Sequence, residues 1–125
     1  MSGAITILAR RRLFLCAGDG PPLRSDRDAV DLIGEAFGAD VEAIVIPTSR
    51  LGPGFLDLST RIAGDVIQKL VNYRYRAVFL GDISQSLEVS KALRDFVRES
   101  NRGTMVWFLP DLAALEQRLG EAEVP

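Results

Sequence analysis

Histidine is absent from the 125 residues, and its absence removes more chemistry than any residue present supplies. Without imidazole there is no Ser-His-Asp or Cys-His pair, no imidazole metal ligand and no side chain whose ordinary pKa lies near neutrality. Cysteine occurs once, as Cys16 in an apolar run, which excludes an internal disulfide and a thiolate metal cluster. A small core residue in a reducing, cytoplasmic setting is the expectation. An excess of either charge is lacking too: 15 Lys and Arg stand against 17 Asp and Glu. Neutralising a row of phosphates needs a basic excess, so nucleic acid is not an expected partner. Long hydrophobic runs are missing. The apolar stretch at 4–9 is too short to span a bilayer and, lying ahead of Arg10, Arg11 and Arg12, wrongly ordered for a signal peptide. No membrane attachment, no cofactor and no metal site are expected.

What is present is a regular alternation of short apolar runs and helical stripes. Residues 5–9 and 13–17 are two apolar runs separated only by the three arginines, which suits an antiparallel hairpin with a charged turn. After the break at 18–22, Ser25 and Asp28 have the spacing of a capping box, and Ala29, Val30, Ile33 and Phe37 recur at helical spacing before Gly38. Residues 43–46 and 77–80 are continuous apolar runs, short enough to be strands buried on both faces, and 104–109 reads as a last strand. Between them lie a helix with the stripe Ile62, Ala63, Val66, Ile67 and Leu70, and a helix capped by Ser84 or Ser86 with Val89, Leu93, Phe96 and Val97 inward. Pro110 and Asp111 start a final helix carrying Leu112, Leu115 and Leu119. The predicted order is β-β-α-β-α-β-α-β-α in a single α/β domain over 1–125, with a flexible tail from about 120. Strands joined through helices form parallel pairs by right-handed crossovers, and the hairpin adds one antiparallel strand, so the sheet is mixed and mostly parallel. The strands at 43, 77 and 104 are expected at its centre.

Three segments carry a likeness beyond this pattern: FLDLSTRIAGDVIQKLVNYRYR, then VFLGD, then SKALRDFVRESNRG. Together they resemble the small bacterial proteins grouped as domain of unknown function 4180, a likeness covering nearly the whole chain. Arg10, Arg11 and Arg12 stand where the resemblance leads one to expect a tighter Asn/Gly turn. It implies no activity and brings no catalytic or binding residues. The element order is also similar to the STAS domain of anti-sigma factor antagonists, in which an Asp-x-Ser/Thr stretch before the second helix offers a phosphorylatable hydroxyl to a kinase. Asp57, Leu58, Ser59 and Thr60 occupy the matching place, with Arg61 where a small glycine usually follows.

In an open parallel sheet the segments leaving the strand C-termini gather at one end, where helix N-termini also point. That end is expected to hold Arg50, Phe55, Asp57, Ser59, Thr60 and Asp82, together with Ser84, Ser86 and Asp111. Read for function, these residues form a ligand or partner site, with Asp57 and Asp82 as its carboxylates and Thr60 or Ser59 as a modifiable hydroxyl. Read for structure, Asp57, Ser84 and Asp111 cap helices and Phe55 plugs the core. Gly52-Pro53-Gly54 lacks the Lys-Ser/Thr ending of a P-loop. At the opposite end Asn72, Arg74, Glu99 and Asn101 read as helix stops and an Arg74–Glu99 ion pair, and Trp107 reads as core.

The leading expectation is a non-catalytic, cytoplasmic regulatory or interaction domain of STAS-like architecture, working through residues 50–60 and meeting a protein partner. One alternative is a small-molecule-binding protein or modest enzyme with its site around Asp57 and Asp82. Another is a structural protein that assembles with itself as a homodimer or larger homo-oligomer. A deep pocket at the carboxylates favours a ligand, and a convex, filled end favours a partner.

Overall fold

A computed structural model describes residues 3–123. The chain opens with β1 (Ala4–Leu8) and β2 (Arg11–Leu15), paired antiparallel with Leu8 opposite Arg11. Only Ala9 and Arg10 connect them, and both have positive φ, 49° and 67°. Two left-handed residues make a turn whose twist matches that of the strands, normally the place of Asn-Gly. The turn is therefore as tight as an Asn/Gly turn, but built from residues that hold this conformation at a cost of order 1 kcal/mol each. Ala9→Asn combined with Arg10→Gly is expected to raise the stability by about 1 kcal/mol, read as a higher melting temperature; a lower one would contradict this account of the turn.

The expected charged turn of three arginines is corrected in extent by this geometry: Arg11 and Arg12 lie inside β2, although Arg12, like Arg10, stays exposed. Arg11 Nη1 reaches Glu42 at 3.0 Å, and Arg12 donates to the carbonyls of Asp40 at 3.0 Å and Ala39 at 2.8 Å. Those carbonyls follow α1 (Asp26–Ala36), so the arginine tethers the outgoing chain where a helix favours cations. The capping box at Ser25 and Asp28 forms as the spacing predicts. The buried stripe is Ala29, Leu32, Ile33 and Ala36, whereas Val30 and Phe37 are exposed, 44 % and 83 %.

Then follow β3 (Ala43–Pro47), α2 (Ile62–Asn72), β4 (Arg76–Leu80), α3 (Ser84–Val89), α4 (Lys91–Arg102), β5 (Val106–Leu109) and α5 (Leu112–Glu123). The expected third helix is thus two. Ser90 breaks it, extended and accepting a hydrogen bond from Leu93 N at 3.1 Å, and Val89, read as inward, is 86 % exposed. The expected tail from Gly120 is helical as far as Glu123, and its last two residues lie outside those described.

The sheet runs β1-β2-β3-β4-β5, antiparallel between β1 and β2 and parallel thereafter. Each crossover advances in the same direction, so β5 ends at an edge rather than at the centre. One face is covered by α1, α2 and α4 over Phe14, Ile44, Ile46, Phe79 and Phe108; the other is covered by α5 through Leu115 and Leu119 over Leu13, Val45, Val78 and Trp107. Continuous burial of β3 and β4 follows from this double cover. Trp107 is core, 1 % exposed, with the guanidinium carbons of Arg76 and Arg118 at 4.5 and 4.6 Å from its ring centre. The edge of β5 is closed by Asn101, whose amide donates to Phe108 O at 3.1 Å and accepts from Phe108 N at 2.7 Å. No Arg74–Glu99 pair forms among the described residues; Glu99 meets Arg102 at 3.5 Å.

Candidate functional site at the carboxyl ends of the strands

The two central strands, β3 and β4, end in segments that separate. After β3 the chain makes a 3-10 turn at Thr48–Arg50, runs through a glycine-containing loop and makes a second 3-10 turn at Leu58–Thr60 before α2. After β4 it turns sharply at Gly81, φ 147°, into α3. Between these walls lies an open cleft of about 870 Å³, lined by Thr48, Leu51, Leu56 and Asp57 on one side and by Asp82, Ser84, Gln85 and Ser90 on the other, among others. Crevices outside the carboxyl ends of parallel strands are where ligands bind in open α/β sheets.

The loop before α2 is built tightly. Leu23 forms a parallel bridge with Leu51, and Gly52 N donates to Leu23 O at 3.2 Å. A Cβ on Gly52 would lie 2.7 Å from that carbonyl, so only glycine allows the approach. Arg50 does not reach the cleft. It is 4 % exposed, and its guanidinium donates to the carbonyls of Pro21 at 2.7 Å and Ala17 at 2.9 Å, pinning the segment that leaves β2. Phe55 lies beneath, fully buried, its ring centre 5.6 Å from that of Phe79. Phe79 stacks on Phe108 at 4.8 Å, so the floor of this end is a chain of aromatic contacts.

Asp57 and Asp82 both line the cleft, and each is held ionised by local hydrogen bonds. Asp57 accepts from Ser59 Oγ at 2.7 Å and Ser59 N at 3.1 Å, and these bonds keep its carboxyl below the usual range. Asp82 accepts from Ser84 N at 2.9 Å, and hydrogen bonds from the backbone and side chain of Ser84 lower it likewise. Asp57 therefore caps the 3-10 turn rather than α2 itself. Thr60, exposed near the cleft, donates to the carbonyls of Gly54 and Asp57, each at 2.8 Å, and its oxygen accepts from Ile62 N at 3.3 Å. Arg61, at φ 65°, makes the kink from that turn into α2.

The chemistry of the cleft follows from these states. Neither carboxyl is raised, so neither keeps a proton to donate near neutral pH, and a matched acid and base is not provided by this pair. Among the described residues no group of three or more Cys, Asp or Glu is placed to hold a metal ion. Cys16 is buried beneath the β2 end, and burial pushes its thiol up to about 12, far from a reactive thiolate. The cleft offers fixed negative charge, hydroxyls and apolar side chains together.

Both lowered carboxyls make a pH prediction. A carboxyl whose folded-state pKa lies below its ordinary 3.8 stabilises the fold above that value and loses the contribution as pH falls through the lowered pKa. Melting temperature measured on acidification should fall more steeply below pH 3.8 in the natural chain than in an Asp57→Asn/Asp82→Asn variant, which keeps acceptors but does not titrate. Parallel acid limbs would contradict the assignment.

Sequence reasoning brought Asp57 and Asp82 to one place. It did not reach Leu56, Gln85 or Ser90 as lining residues, since nothing in their local pattern announces a cleft. No helix of the described residues is long and apolar enough to cross a membrane. Among curated proteins and among solved structures no match to the chain was found. A family model described as Domain of unknown function (DUF4180) matches residues 8–119, from the end of β1 into α5, and the chain belongs to that family.

Proposed function

We propose that this domain is a non-catalytic binding module of the cytoplasm that takes a small cationic molecule in the cleft between Asp57 and Asp82. The observation that carries this reading is the convergence of two ionised carboxylates on one open cleft of about 870 Å³. None of its lining residues is a lysine or arginine, so the negative charge is left for a ligand to neutralise. The volume lies in the range of small-molecule sites. The test is a thermal-shift panel of small ammonium compounds, with carboxylates of similar size as controls. Ammonium compounds should raise the melting temperature, by the equivalent of about 2.7 kcal/mol when present at 100 times Kd, and the Asp57→Asn/Asp82→Asn variant should abolish the effect. No stabilisation by any ammonium compound, or an undiminished one in the variant, would overturn the reading.

A second reading keeps the STAS-like regulatory role and a protein partner, with Ser59 or Thr60 as a modified hydroxyl. It is favoured by the exposure of both residues beside the cleft. The hydroxyls are committed to Asp57 and to the Gly54 and Asp57 carbonyls, so a phosphate on either must displace a local bond. Thr60→Glu should therefore alter partner capture without matching loss in Thr60→Ala. Equal effects in the two variants would leave these hydroxyls with a structural role alone.

A further inference from the structure

Beside the acidic cleft, and sharing Thr48, Asp82, Ile83 and Ser84 with it, a second hollow of about 340 Å³ runs beneath α3. Its character is different. Phe79 and Phe108, the stacked rings of the core, line it together with Leu87, Val97 and Leu109. The amide of Asn101, also on its wall, is engaged on both sides by the Phe108 backbone. Walls that are mostly apolar favour a carbon group as occupant.

The roof is tied to α4, where Arg94 Nη1 donates to the carbonyls of Leu87 at 2.6 Å and Glu88 at 3.2 Å. None of the six residues of α3 is buried, and the helix is bounded by Gly81 and by the extended Ser90. It therefore stands over an unfilled apolar space next to the core, with Asp82 and Ser84 as the shared rim between that space and the acidic cleft.

We infer that the ligand of the acidic cleft is a hydrophobic amine, whose ammonium group meets Asp82 and Asp57 while an apolar limb, a phenyl ring or short branched alkyl chain, enters the hollow beneath α3. This rests on the ligand-binding reading of the cleft and adds the second half of the molecule. A polar cation alone would leave the apolar hollow empty, and an apolar molecule alone would leave the carboxylates unpaired.

The experiment compares three probes, 2-phenylethylamine, ethylamine and phenylacetate, titrated into the labelled full chain and followed by amide chemical shifts. 2-Phenylethylamine should bind at least about tenfold more tightly than ethylamine, the gain expected from burying a phenyl ring. Leu87→Phe, which fills the hollow from a helix that buries no residue of its own, should remove that preference and leave ethylamine affinity unchanged. Val97→Phe fills it from α4 and should do the same should the first variant rearrange α3. Equal affinity for the two amines in the natural chain would overturn the apolar limb while leaving the acidic cleft as a cation site. Binding of phenylacetate as tight as that of 2-phenylethylamine would overturn the role of the carboxylates, and no binding of either amine would overturn both inferences together.

Discussion

Replacing Phe55 by alanine is expected to lower the stability of the domain by about 3–5 kcal/mol, the range for truncating a fully buried phenylalanine. The ring is 0 % exposed and packs against Phe79, which stacks in turn on Phe108 and, through it, meets Phe96 at 5.9 Å from the Phe108 ring. Loss of the ring leaves a cavity at the end of this aromatic row, and the surrounding strands are too constrained by their own pairing to close it. The loop above is anchored by the same residue, whose N donates to Gly52 O at 3.1 Å in the segment that forms one wall of the cleft, so loss of the buried ring loosens that anchor. Urea denaturation is the appropriate measurement: the midpoint should fall sharply with little change in slope. A loss below about 1 kcal/mol would mean that the loop, and not the core, is where this ring belongs.

Gly81→Ala is the second large effect, and it has two separable parts. At φ 147° the backbone is in a region essentially reserved for glycine, at a cost of about 1–3 kcal/mol for any other residue. A Cβ there would also lie 2.0 Å from Thr48 Oγ1 and 2.8 Å from its Cγ2, an overlap that adds about 1–3 kcal/mol as the neighbour shifts. Thr48→Ala removes the overlapping oxygen and methyl but leaves the backbone as it is. The double variant Thr48→Ala/Gly81→Ala should therefore recover most of the steric part, the Thr48 Cβ at 2.9 Å remaining, and retain the conformational part, and a double-mutant cycle on unfolding free energies reads the coupling. Because Thr48 and Gly81 both border the hollow beneath α3, the single variant should also disturb the α3 amides. A cycle with no coupling would show that the contact carries no weight.

The architecture could be read from the chain because its signals are local and redundant. Apolar runs at 43–46 and 77–80 have no polar alternation and so must be covered on both faces, which forces helices onto each side of the sheet. The same topology sends Asp57 and Asp82 to one end. What escaped reading depends on competition between nearly equivalent patterns. Along α1, the stripe through Val30 and Phe37 and the stripe through Leu32 and Ala36 are both helical, and packing against α2 and the sheet selects the second. From Val89 to Phe96 the apolar spacing fits one continuous helix, yet Ser90 caps a new one. Arg11 and Arg12 look like turn residues until Glu42 and the carbonyls after α1 are placed opposite them. Arg50 gives no sign of burial because its partners are carbonyls at Ala17 and Pro21, which no side-chain pattern reveals. The hollow beneath α3 joins residues from Thr48 to Pro110 and has no local signature at all.

Binding at the acidic cleft is tested most directly by mapping amide shifts in the labelled chain during titration with a small ammonium compound, in the natural sequence and in Asp57→Asn/Asp82→Asn. The account predicts saturable shifts confined to the two walls, at Gly52, Gly54, Asp57, Asp82, Ser84 and Gln85, and their loss in the variant. Shifts that are absent, that spread along α4 instead, or that persist when both carboxylates are gone would contradict it.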